Sequence, residues 1–124
     1  MESIKIIMPF PPSVNGMFAQ NKHNAKLRFK TKKYKQWITD CPDLEDFKME
    51  GQCTVSYRMF FPDDRIRDGQ NYMKAPLDYL VSQAVIAEDN RRIVKGEQWV
   101  DGGIDKNNPR IEINIRRINN VQEK

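Results

Sequence analysis

The alternation of apolar and polar positions predicts four strands. Apolar side chains recur at every second position through 3–9, 51–62 and 110–118, which is the period of a strand with one buried face. The last of these segments alternates isoleucines with arginine, glutamate and asparagine, so we expect its second face to contact water. The segment 93–100 lies between two turn-rich stretches and is predicted as the remaining strand.

A helical period predicts two helices between these strands. The first covers about 32–41, with Thr31 in position to cap its N-terminus and Pro42 to end it. Its apolar stripe consists of Tyr34, Trp37, Ile38 and Cys41. The second covers about 69–86, and its apolar positions follow at intervals of four, three and four residues: Met73, Leu77, Leu80 and Ala84.

The connecting segments have the composition of turns. Residues 9–16 (PFPPSVNG) contain three prolines, an asparagine and a glycine, and residues 101–109 (DGGIDKNNP) are equally rich in turn formers. The resulting order of elements, β-loop-α-β-α-β-β, predicts an α+β fold. We expect a single small domain over 1–124, with one mixed β-sheet of about four strands and two main helices packed on it.

Composition adds a preference for an anionic partner. The 124 residues include 21 lysines and arginines against 17 aspartates and glutamates, a net charge of +4, which favours nucleic acid. No apolar run approaches the length of a membrane span, and the N-terminus lacks a signal-peptide pattern, so we expect no membrane association and a cytoplasmic location. Cys41 and Cys53 lack the spacing of a zinc site, and we predict two ordinary thiols.

The segment 20–35 concentrates the positive charge. It has no acidic residue and carries seven cations, with Phe29 and Tyr34 among them: Lys22, Lys26, Arg28, Lys30, Lys32, Lys33 and Lys35. These cations suit contacts with a phosphate backbone, and the aromatic rings suit stacking on unpaired bases. The alternative is a solvated basic helix with its aromatic residues in the core. We favour DNA contact for the cations and the core for Tyr34 and Trp37.

Acidic residues gather around one lysine in the second half of the chain: Asp68, Asp78, Glu88 and Asp89 surround Lys74. On the second predicted helix, Asn71, Lys74 and Asp78 share a polar face. Carboxylates that hold Mg²⁺, together with a lysine, are the groups that phosphodiester hydrolysis requires. The alternative is a wet helix face with an ion pair between Lys74 and Asp78, followed by a turn.

Three motifs in order resemble the RusA-like Holliday junction resolvases, small endodeoxyribonucleases common in phages and prophages. Residues 9–15 (PFPPSVN) are similar to the family's Pro-Pro-Ser-x-Asn loop. Residues 67–78 (RDGQNYMKAPLD) are similar to its Arg-Asp-x-Asp-Asn-x-x-Lys-x-x-x-Asp motif, and 88–89 (ED) to its acidic pair. The resemblance covers about residues 3–118.

The resemblance implies a homodimer that binds four-way or other branched DNA and cuts two strands symmetrically with Mg²⁺ or Mn²⁺. By position, Asp68 and Asp89 are implied to be the key metal-binding carboxylates and Lys74 the catalytic lysine. Glu88 is implied to supply the other acid of the pair. Asn71 and Asp78 are implied to be supporting polar residues. A bacterial host, with phage or prophage origin, is also implied.

One position departs from the family motif. Gln70 stands where the family has its second acid, and an amide oxygen ligates Mg²⁺ weakly and cannot act as a base. The chain is therefore an active variant, a slow enzyme, or a branched-DNA binding protein that does not cut. We favour the active variant, because the other acids and the lysine are present. A plain basic interaction domain is the remaining alternative.

Further residues flank the acids. Four arginines are placed to grip phosphates near the scissile bond: Arg65, Arg67, Arg91 and Arg92. Ile66 is either an apolar wedge at the junction centre or an ordinary residue at a strand end. Asn15 is expected to hold the 9–16 loop at the rim of the site through side-chain to backbone hydrogen bonds.

Overall fold

The four predicted strands pair into one mixed sheet, and a short hairpin lies beside it. The fold is described from a computed structural model, whose description covers residues 2–24 and 26–118. Its strands are β1 (Ser3–Pro9), β2 (Phe18–Gln20), β3 (Arg28–Lys30), β4 (Cys53–Phe61), β5 (Val94–Ile104) and β6 (Arg110–Arg117). The order in the main sheet is β1-β6-β4-β5; β5 runs parallel to β4, and the other pairs are antiparallel. The predicted α+β fold is confirmed.

One face of the main sheet carries the core. In β4 every second side chain, from Cys53 to Phe61, is buried. The isoleucines Ile111, Ile113 and Ile115 of β6 are also buried. The other face of β6 contacts water as expected from its alternation, since Arg116 is exposed and Arg110, Glu112 and Asn114 are partly exposed.

Helix α1 (Lys32–Asp40) begins and ends as predicted. The Thr31 hydroxyl accepts a hydrogen bond from the backbone N–H of Tyr34 at 3.2 Å, which satisfies one of the unpaired donors of the first turn. Tyr34 and Trp37 are buried, and the indole N–H of Trp37 donates to the carbonyl of Pro9 at 2.8 Å. The preference for these two aromatic residues in the core is confirmed.

The second helix is shorter than predicted. Instead of a helix over 69–86, the chain forms a 3-10 turn (Gly69–Tyr72) and then helix α2 (Lys74–Ser82). Pro76 cannot donate to a carbonyl one turn earlier, so α2 starts just before it. Ala84 has a positive φ of 61°, which ends the helical path, and it is exposed instead of buried.

Strand β5 is longer than predicted, because it continues through 101–104 into the expected loop. Gly103 adopts a φ of +101°, and the pairing with β4 shifts register between Met59 and Phe60, so the strand bends and continues. The hairpin of β2 and β3 was not predicted, because strands of three residues are too short to show a clear alternation.

Cys41 and Cys53 are free thiols, as predicted, and burial raises the pKa of Cys41 to about 12. Among the residues described, no helix has both the length and the apolar character needed to cross a membrane.

Candidate active site

Asp68 and Gly69 fix the position of the 3-10 turn at Gly69–Tyr72. Asp68 precedes the turn, and its carboxylate accepts a hydrogen bond from the backbone N–H of Gln70 at 3.1 Å. Gly69 is buried against Trp99 of β5: a Cβ at this position would lie 2.2 Å from the indole ring. Only glycine fits so close an approach, and the contact places Asp68 and Gln70 over β5.

Lys74, at the start of α2, binds two of the predicted acids. Its ammonium lies 3.1 Å from a carboxylate oxygen of Asp78 and 3.7 Å from one of Asp89. Hydrogen bonding to Asp78 raises the pKa of Lys74, and Asp89 adds to the effect, so the lysine stays protonated. The pair with Asp78 is the one that a wet helix face would show. A helix face alone does not explain the contact with Asp89, because Asp89 lies in the segment after the helix.

The other predicted ligands are arranged loosely. Glu88 is exposed, and its carboxylate accepts a hydrogen bond from the side-chain amide of Asn90. Gln70 and Asn71 are exposed on the 3-10 turn. Within 2–24 and 26–118, no three carboxylate, histidine or cysteine side chains are close enough to hold one ion. The described side chains therefore do not form a complete set of protein ligands for a metal. Mg²⁺, however, commonly binds one or two carboxylates and keeps several waters. The oxygen donors at this site fit a hydrated ion of that kind.

The proline-rich loop lies beside this site. Its 3-10 turn (Val14–Gly16) contacts the turn at Gly69–Tyr72. Asn15 is exposed there, and the side chain that holds the loop is that of Ser13, which accepts from the backbone N–H of Gly16 at 3.2 Å. The structure thus brings the first and second family motifs together.

The four arginines differ in their surroundings. Arg67 is largely buried: its guanidinium donates to Asp63 at 2.6 Å and lies 5.9 Å from the ring centre of Phe10. Arg65 lies 3.6 Å from Asp63 and is exposed, and Arg91 and Arg92 are exposed after Asp89. Arg67 therefore stabilises its own loop, whereas the other three are accessible to a ligand.

Ile66 lies between these arginines and is 99% exposed. It follows β4 by several residues, so it is a loop residue and not part of a strand end. The loop borders an open cavity of about 450 Å³, whose apolar walls are Phe61, Trp99 and Ile104.

The hairpin of β2 and β3 presents its cations to solvent. Arg28 lies over the ring of Phe18, 4.5 Å from its centre, and Lys30 lies 5.9 Å from the ring centre of Tyr34. Phe29 is half exposed. The remaining predicted DNA-contacting lysines are also exposed: Lys22, Lys26, Lys32 and Lys33.

A family model for the endodeoxyribonuclease RusA matches residues 9–116, which include the proline-rich loop, the hairpin and the acidic site. The chain belongs to the RusA endodeoxyribonuclease family. The resemblance based on the three motifs is confirmed, and the activity of the RusA family is hydrolysis of phosphodiester bonds within DNA. No curated protein matches the sequence significantly.

The strand that packs against the 3-10 turn also carries an acid that sequence reasoning did not single out. Glu97 of β5 accepts a hydrogen bond from the hydroxyl of Tyr57 at 2.6 Å. A register shift after the pair Cys53–Val94 adds one residue to β5, so Glu97 and Trp99 lie on the core side of the sheet. Simple alternation from the buried Val94 places Glu97 on the other face, and the sequence carries no signal for the shift.

Proposed function

We propose that this chain is a metal-dependent, structure-selective endodeoxyribonuclease that resolves four-way DNA junctions as a homodimer. Family membership supports the endonuclease activity. The observation that carries the proposal is the position of Lys74, held between Asp78 and Asp89 beside the turn that carries Asp68. These residues come from separate segments, and a wet helix face alone would not gather them.

The chemistry follows from the charges. The protonated Lys74 is half exposed and is placed to stabilise negative charge that develops on a phosphate oxygen. Asp78 orients that lysine through the contact at 3.1 Å. Asp68 and Asp89 would hold Mg²⁺ or Mn²⁺, with Glu88 and the weaker amide of Gln70 as further oxygen donors. A bound divalent ion would supply Lewis-acid stabilisation of the phosphate and activation of water.

DNA binding is assigned to the hairpin and the accessible arginines. The exposed cations of the hairpin would contact phosphates, and the half-exposed Phe29 would stack on an unpaired base. Arg65, Arg91 and Arg92 would contact phosphates nearer the acids. We assign Ile66 to the junction centre, because a fully exposed isoleucine between two arginines has no packing role within the described fold.

The homodimer follows from the geometry of the substrate. A four-way junction has two-fold symmetry, and two identical sites related by a two-fold axis can cut symmetrically related strands. One site per protomer then suffices for paired cuts.

The second candidate function is branched-DNA binding without cleavage. Gln70 in place of an acid, and carboxylates that do not converge in groups of three among the described residues, favour it. Cleavage of a labelled four-way junction with Mg²⁺ or Mn²⁺, beside the variant Asp68→Asn, separates the two. We expect paired nicks that the substitution abolishes. Tight junction binding without nicks would support the second candidate, and equal affinity for junction and linear duplex would contradict both.

A further inference from the structure

Glu97 lies on the strand that faces the candidate active site. On the same side of β5, two residues along, Trp99 packs against Gly69 of the 3-10 turn. Residues two apart on a strand are separated by about 6.6 Å. Gln70 directly follows Gly69 in the 3-10 turn, and Glu97 lies two residues before Trp99 on β5. Because Gly69 and Trp99 are in contact, Gln70 and Glu97 both lie next to that contact.

Tyr57 fixes the direction of the Glu97 side chain. Tyr57 is fully buried in the centre of β4, and its hydroxyl donates to the carboxylate of Glu97 at 2.6 Å. Burial raises the pKa of Tyr57, and the carboxylate of Glu97 raises it further, so the hydroxyl keeps its proton and remains a donor. A buried donor of this kind holds an otherwise exposed carboxylate in one orientation.

The 3-10 turn that follows Asp68 contacts β5, the strand that carries Glu97. The charge of Asp78 is a minor further cause of the raised pKa of Tyr57, after burial and Glu97. Asp78 in turn pairs with Lys74, and Lys74 contacts Asp89. Glu97 therefore approaches the site from β5, through the contact of that strand with the 3-10 turn that leads into Lys74.

We propose that Glu97, positioned by Tyr57, is a further acidic residue of the active site and supplies the negative charge that is absent at Gln70. This inference rests on the proposed function. Because no three acids among the described residues approach closely enough to share one ion, Glu97 acts on a hydrated cation through hydrogen bonds with its waters. Removal of such an outer partner typically costs about 10- to 100-fold in metal affinity.

The test is Mn²⁺ affinity, measured by isothermal titration calorimetry and electron paramagnetic resonance on the whole chain without DNA. The variants are Glu97→Gln, Tyr57→Phe, Asp89→Asn and the double variant Glu97→Gln with Gln70→Asp. Glu45→Gln, in an exposed loop after α1, is the control with the same change of charge. Circular dichroism verifies that each variant is folded.

We expect Glu97→Gln to weaken Mn²⁺ binding by about tenfold or more. Tyr57→Phe should weaken it by roughly two- to tenfold, the value of one hydrogen bond. The added Gln70→Asp should restore the affinity, and Glu45→Gln should leave it unchanged.

Three results would overturn the inference. If Asp89→Asn abolishes Mn²⁺ binding while Glu97→Gln leaves it unchanged, Glu97 is outside the site and the proposed function stands. If Gln70→Asp does not restore a weakened Glu97→Gln variant, the two positions do not compensate for each other. If Asp89→Asn also has no effect, the carboxylate site itself is wrong, and the inference fails with the proposed function.

Discussion

The acidic site and the basic hairpin (β2 and β3) carry opposite charges and are built in different ways. In the acidic site, each functional group is held by a neighbour: Lys74 by two carboxylates, Asp68 by the N–H of Gln70, and the turn itself by Gly69 against Trp99. In the hairpin, Arg28 and Lys30 lie over aromatic rings, and their charged groups remain exposed.

The difference teaches which property each region depends on. A hydrolytic site must place charges within a few tenths of an ångström of the reacting atoms, whereas contacts with a phosphate backbone depend mainly on the number of cations. Substitutions that keep the charge should therefore harm the acidic site and spare the hairpin.

The largest effect is expected when arginine replaces the central lysine. Lys74→Arg keeps the charge, but the planar guanidinium cannot reproduce the point contacts with Asp78 and Asp89. We expect the single-turnover rate of junction cleavage to fall by about 100- to 1000-fold. The matched control Lys30→Arg in the hairpin should change the rate less than about twofold, since a phosphate contact is kept. Equal losses in both variants would contradict the comparison.

Charge reversal in the basic segment should produce the next largest effect. Lys30→Glu, Lys32→Glu and Lys33→Glu together remove three candidate phosphate contacts, each of which contributes about 0.9 to the slope of log affinity against log salt. We expect this slope, measured by fluorescence anisotropy with junction DNA, to flatten by about two to three. Lys48→Glu, at an exposed position between α1 and β4, is the control. An unchanged slope in the triple variant would exclude this region from the interface.

A substitution at the contact between the 3-10 turn and β5 should have a smaller effect on stability. In Gly69→Ala the new Cβ meets the Trp99 ring, so the turn or the indole must move, at a cost of about 1–3 kcal/mol. The free energy of unfolding in urea measures this. The control is Gly96 of β5, where an added Cβ would meet only a methyl group of Thr54 at 3.7 Å. Gly96→Ala should therefore lower the free energy of unfolding clearly less. Equal costs would show that the close approach at Gly69 is relieved elsewhere.

The smallest effect is expected at the exposed isoleucine between the arginines. Ile66→Ser should leave the free energy of unfolding within about 0.5 kcal/mol, because the side chain is exposed. A modest loss of junction cleavage with unchanged stability would place Ile66 in contact with DNA. Unchanged cleavage would instead make it an ordinary loop residue.

Much of the fold was predictable because local patterns decided it. The alternation in β4 and β6 and the Thr31 cap of α1 are properties of short segments, and the structure confirms them. The end of α2 at Ala84 and the extension of β5 through Gly103 were missed, because both depend on backbone conformations that no apolar period encodes.

The candidate site was predictable only in part for the same reason. The motifs named Lys74, Asp78 and Asp89, but their contact depends on the return of the chain from α2 toward β5, which is a tertiary property. Glu97 was not predictable, because a one-residue shift in the pairing of β5 with β4 reverses the face on which it lies.

The most direct test of junction resolution uses a supercoiled plasmid that extrudes a cruciform, incubated with the protein and Mg²⁺ or Mn²⁺. Two cuts made within the lifetime of one complex give linear DNA, whereas a single cut releases the supercoiling and gives a nicked circle. We predict linear product from the native chain and none from Asp89→Asn. Tight binding to the cruciform with neither product would contradict the account and identify a branched-DNA binding protein.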